Sequence, residues 1–194
     1  MKRSFFIGSL VLAATLSTAA FAAAPQAAGA SQEKPTFASV YERQLSNVEK
    51  DVVEAADAMP EDKFNFAPTG PGDFKGVRTY AEQVKHIAIV NYMYSAAILQ
   101  EKVPVDVNGE KGPDSVKSKA DIMKFIRDSF TYAHKAMATI NEGNILEQIK
   151  TPYGNRPTTR LSLATGIISH PFDHYGQMVE YLRMNGIIPP ASRK

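Results

Sequence analysis

From residue 37 onward the apolar side chains return every three or four positions in four separate stretches, each closed by proline, glycine or asparagine. That period lines them along one side of an α-helix; a strand would alternate its faces every two residues. Phe37, Val40, Tyr41, Leu45, Val48, Val52, Ala55 and Met59 form the first stripe, which Pro60 ends. The second stretch opens at Thr79 with Glu82 three residues on, a capping box in which each side chain accepts from the other residue's backbone N–H, and it runs to Gln100. Ser118 and Asp121 make a similar start for the third, which runs to Ile140 and stops at Asn141-Glu142-Gly143-Asn144. The fourth carries Leu161, Ala164, Ile168, Phe172, Met178, Val179 and Leu182 and stops at Asn185-Gly186. Pro171 lies inside it. The missing N–H and the bulk of its ring predict a kink there, or a break and restart near Ser169. No segment sustains strand-type alternation, so the expectation is an all-α, four-helix bundle with helices antiparallel or nearly so.

The connections are long. Residues 61–78 carry Pro68, Gly70, Pro71, Gly72 and Gly76 among Phe64, Phe66 and Phe74, whose rings predict a loop packed onto the bundle. Further turn-rich connections span 103–115 and 144–157.

The first residues read as a targeting segment. Lys2 and Arg3 precede the apolar run 5–20, and Ala20-Phe21-Ala22 is a small-x-small cleavage site, so residues 1–22 are expected to be a signal peptide cut after Ala22. A retained anchor fits less well, because the run is Ala/Ser/Thr-rich and Pro25 follows it. Residues 23–36, small, polar and proline-containing, read as a flexible leader, and residues 37–194 as one domain. The mature chain is expected in the bacterial periplasm or outside the cell, with no membrane attachment after cleavage. Lys2 and Arg3 leave with the signal, so 22 basic against 20 acidic residues becomes 20 against 20. A balanced chain has no footprint for nucleic acid and no polybasic patch for anionic lipid. It contains no cysteine, which excludes a thiol nucleophile, a thiolate ligand and disulfides.

Three of the four histidines carry the chemistry. His170 and His174 are four apart, which stacks both rings on one helical face a turn apart, and His86 sits in another apolar helix able to face them. Burying imidazoles in apolar surroundings without partners is costly. Three of them around one divalent ion remove that cost and leave coordination positions open. The donor set suits zinc or nickel best and admits iron or manganese. His134, beside Lys135 and one turn from Phe130, reads as structural. The pair is not a zinc-protease helix, since the general-base glutamate expected after the first histidine is replaced by Pro171. Glu82 and Asp173 are the nearest carboxylates, with Asp173 about 100° round the helix from His174. Tyr92, Tyr94 and Tyr175 are candidates to reach a ligand. No general base or other catalytic residue is assigned, and no organic cofactor is indicated.

Residues 170–177, HPFDHYGQ, followed by MVEYLRMNGIIPP and preceded by a histidine in the second helix after a Pro/Gly-rich loop, resemble the DinB-like superfamily of metal-binding four-helix proteins. The resemblance spans essentially the whole mature chain. It implies an up-down-down-up bundle, one divalent ion on His86, His170 and His174, support from Gln177, a small-molecule substrate or ligand, and pairing into homodimers. Characterised members resemble thiol-dependent transferases and isomerases. Two departures stand out: Tyr175 occupies the place where members commonly carry arginine, and Pro171 falls between the paired ligands. The resulting expectation is an exported metal-dependent transferase or hydrolase. Its rivals are a non-catalytic periplasmic carrier of metal or small ligand, with the loop phenylalanines covering its pocket, and a bundle whose histidines bind nothing.

Overall fold

In the computed structural model, residues 34–69, 76–153 and 157–194 are described, so the segment expected to be a signal, nearly all of the leader, and Phe74 lie outside the described residues. Four helices dominate: α1 (Phe37–Ala58), α2 (Tyr80–Leu99), α3 (Lys119–Met137) and α4 (Arg160–Met184). Each starts at a hydroxyl. Thr36, Thr79, Ser118 and Thr159 accept from the backbone N–H three residues on, and at Thr36 and Thr79 the third residue reaches back to close the box. Such caps contribute about 1 kcal/mol each by satisfying N–H groups the helix cannot use. Thr36, assigned to the leader from its composition, is the N-cap of α1.

Burial follows the stripes. α1 buries one face, Leu45, Val48, Val52, Ala55 and Ala56, whereas α2 is enclosed almost all round. α2 packs on α3 and α4, and α1 packs on the same two, so the helices follow one another round the bundle as α1, α3, α2, α4. Passing from α1 to α2 and from α3 to α4 then means crossing a diagonal. The first of these connections is pinned by its aromatics: Phe64 meets Tyr80 edge-on with centroids 5.5 Å apart and Phe66 meets Tyr181 at 5.7 Å. The Tyr80 hydroxyl donates to the Ala55 carbonyl at 2.6 Å, tying the start of α2 to the end of α1. Removing a fully buried side chain such as Ile87 to alanine should cost about 2–5 kcal/mol.

Two features depart from expectation. The last connection contains a two-stranded antiparallel ribbon, β1 (Gln148–Lys150) with β2 (Pro157–Thr159), too short to show as alternation in the sequence. α4 is also continuous through Pro171, so of the two outcomes expected there the break and restart does not occur. Leu163, Ala164 and Ile167 before the proline, and His174 and Met178 after it, are all buried, and that anchoring on both sides holds the helix together across the missing hydrogen bond. No described helix is long and apolar enough to cross a membrane.

Candidate metal centre

His86 lies in the enclosed middle of α2, and His170 and His174 point at it from adjacent turns of α4. The expected convergence is present. The Nε2 atom of His170 is 3.2 Å from that of His86 and 3.1 Å from that of His174. The ligand atoms of the three rings all lie within 4.8 Å of one another. A tetrahedral ion with metal–nitrogen bonds of about 2.0–2.1 Å sets its nitrogens about 3.3 Å apart, a spacing that the two pairs made by His170 already approach. The chemistry agrees: three neutral rings meeting nitrogen to nitrogen cannot all pair donor with acceptor, and the buried Nδ1 atoms of His86 and His170 have no hydrogen-bond partner.

All three imidazoles are held neutral, the form a ligand needs. Burial pushes His170 down to about 3, with His174, His86 and Arg78 adding to the effect. Burial followed by the neighbouring His86 takes His174 down to about 4, Asp173 opposing and Arg78 adding. His86 is lowered by burial and by Arg78, against the pull of Glu110.

Beyond the rings, two groups of polar residues border the site. Next to His174, the Gln177 amide stands 3.4 Å from Nδ1 and donates to Asp173 at 3.1 Å, while buried Gln83 donates to the Gln177 oxygen at 2.8 Å. Next to His86, a Glu110 carboxylate oxygen lies 3.5 Å from Nδ1. Glu110 ends the turn Asn108–Glu110, whose three residues all have left-handed backbones, with φ of 43°, 57° and 68°. For a glutamate that conformation costs about 1–2 kcal/mol. A cavity of about 380 Å³ opens here, lined by Gly76, Val77, Arg78, Glu82, Gly109, Glu110 and Lys111. The larger clefts, about 520 and 670 Å³, run along Met93 and Val103, and no histidine lines either.

The other candidates separate clearly. Glu82 is exposed and spent on the Thr79 N–H, and Asp173 is exposed beyond Gln177 rather than among the Nε2 atoms. Tyr92 stacks with Phe125 and Tyr132, and the carboxylates nearest Tyr175 are Asp51 and Glu54 of α1. Tyr94 alone stays near the α4 ligands, its ring against the backbone of Gly166, where an added Cβ would stand 2.5 Å from it. Phe64 lies in the core and Phe66 packs against it. His134 joins α3 to α1, its nitrogens facing Glu42 at 2.5 Å and Glu49 at 2.7 Å. Gln83, Glu110 and Arg78 went unread in the sequence; Asn108-Gly109 marks a left-handed turn, but nothing local says that the turn meets His86.

The profile of the DinB superfamily matches residues 44–178, most of the chain and all three histidines. The chain belongs to the DinB superfamily. A crystal structure of a DinB-like protein from Bacillus cereus is similar in fold, with a TM-score of 0.61 and 15% identity over 80% of this chain and 96% of that one. No curated protein matches the chain.

Proposed function

We propose that this DinB-superfamily protein is exported, binds one divalent ion through His86, His170 and His174, and acts as a metal-dependent transferase or hydrolase of the thiol-dependent type. The observation that carries the reading is the pair of Nε2 separations, 3.1 and 3.2 Å, on rings that burial keeps neutral. A divalent ion held there supplies a Lewis acid that lowers the pKa of a water or thiol toward neutrality. The chain's own contribution is positional. Three rings on two packed helices occupy one side of the site, Gln177 and Glu110 border their outer nitrogens, and the adjoining cavity is lined by charges of both signs, Arg78 and Lys111 against Glu82 and Glu110. Export rests on the residue pattern of positions 1–22.

A non-catalytic carrier of metal or small ligand is the second reading, and one observation favours it: Glu82 and Asp173 are both engaged away from the Nε2 atoms, which leaves neither poised to move a proton. Elemental analysis of purified protein comes first, with one equivalent of metal expected and none in His86→Ala. Metal-loaded and metal-stripped protein are then assayed with thiol–electrophile pairs and with simple esters and amides. Metal-dependent turnover supports the enzyme; stoichiometric metal without turnover on any panel supports the carrier. Failure of reconstituted protein to hold metal removes both.

A further inference from the structure

The segment between α2 and α3 does more than connect them. Residues 107–113 lie along α2 across the turn that carries His86: a Cβ on Gly112 would stand 3.3 Å from both Lys85 and Ile89, and the Lys85 ammonium donates to the Pro113 carbonyl at 3.2 Å. The turn inside this strap is braced by its own polar atoms. The Asn108 N–H donates to Asp106 at 3.0 Å, its amide to Asp114 at 3.1 Å, and the Gly112 N–H closes onto the Val107 carbonyl at 3.1 Å. What this bracing sustains is a glutamate in a left-handed conformation at position 110, with a carboxylate oxygen 3.5 Å from the buried Nδ1 of His86 and its own backbone adding to the pull on that ring. Glycine would occupy that backbone position without strain. An observed outlier of this kind directs attention to what the side chain does.

We infer that Glu110 is a positioning residue for the metal, its carboxylate accepting from the His86 Nδ1–H so that the Nε2 lone pair faces the ion. This rests on the metal-binding reading above. A ligating imidazole must carry its proton on the nitrogen away from the ion, and an acceptor there fixes both tautomer and ring orientation. Among the described residues Glu110 stands beside no other cation at ion-pair distance, and the phenols of Tyr153 and Tyr94, raised first by burial and then by this carboxylate, remain protonated. The carboxylate thus has the His86 ring and neutral hydroxyl groups as its neighbours.

The test uses the purified protein with Zn²⁺, competed against a chromophoric chelator, and with Co²⁺, read by its visible absorption. Glu110→Gly removes the carboxylate and the backbone strain together, so the metal-free variant should unfold at the same temperature as the parent or higher, yet bind zinc about 10–100-fold more weakly. Glu110→Gln keeps an uncharged acceptor and should fall between them, with a displaced cobalt spectrum. A role confined to folding predicts the reverse pattern, altered thermal stability with unchanged zinc affinity. Parent-like affinity in both variants overturns the assignment while leaving the metal site standing. If the parent protein takes up no zinc or cobalt, the metal reading falls and this inference falls with it.

Discussion

The bundle places histidine on two opposite seams and wires it in opposite ways. Between α2 and α4, three rings meet nitrogen to nitrogen with no carboxylate among the Nε2 atoms. Between α1 and α3, a single ring lies between two carboxylates, Glu42 and Glu49. Both nitrogens of that ring are taken up by the facing carboxylates, so that seam offers no open coordination position. The first seam instead leaves nitrogen lone pairs free for an ion. The same side chain is therefore a receptor in one place and a rivet in the other, and the residues facing it decide which.

The sharpest way to break this contrast is His174→Ala. It should weaken zinc binding on the order of a thousandfold, about a third of the ~10–16 kcal/mol that structural zinc sites provide, in a chelator competition. Survival of parent-like affinity would remove the triad from consideration. Acid comes next. His170 and His174 are held at about 3 and about 4, below the ordinary value of 6.5, so the folded metal-free protein binds fewer protons than the unfolded chain. Stability should be fully present above about pH 6.5 and be lost as pH falls toward those values, by about 1.4 kcal/mol per pH unit for each ring, as denaturant titrations at several pH values would show. His134→Ala should act in the other direction, destabilising the fold by about 1–2 kcal/mol through the facing carboxylates it leaves behind. Zinc affinity should not change, and a change would mean the two seams are coupled. The smallest effect expected is that of Gln177→Leu, about tenfold in zinc affinity with the fold intact, since it removes only the polar neighbour of His174.

Much of this was legible in the residue order because it is local. Helical period, capping hydroxyls and the four-residue spacing of His170 and His174 are properties of short segments, and His86 stood out as an imidazole in an apolar helix. What stayed hidden is non-local or compensated. Gln83 looks like any polar residue on a helix until Gln177 arrives from another one. Glu110 reads as one more loop acid, and only the strap's path along α2 brings it to His86. Pro171 announces a kink or a break, and of these the break is averted where buried neighbours anchor both sides. The ribbon of β1 and β2 is three residues on a side, below what alternation can reveal.

One turn ahead of His170, the ring of Tyr94 rests where Gly166 leaves no side chain. The separation of the two ligand-bearing rods is there gauged by a hydrogen atom, away from the ligands themselves. Substituents of graded size at 166 would act as shims, prising His86 from its two counterparts by fractions of an ångström and retuning the site for cations of larger radius without altering a single donor.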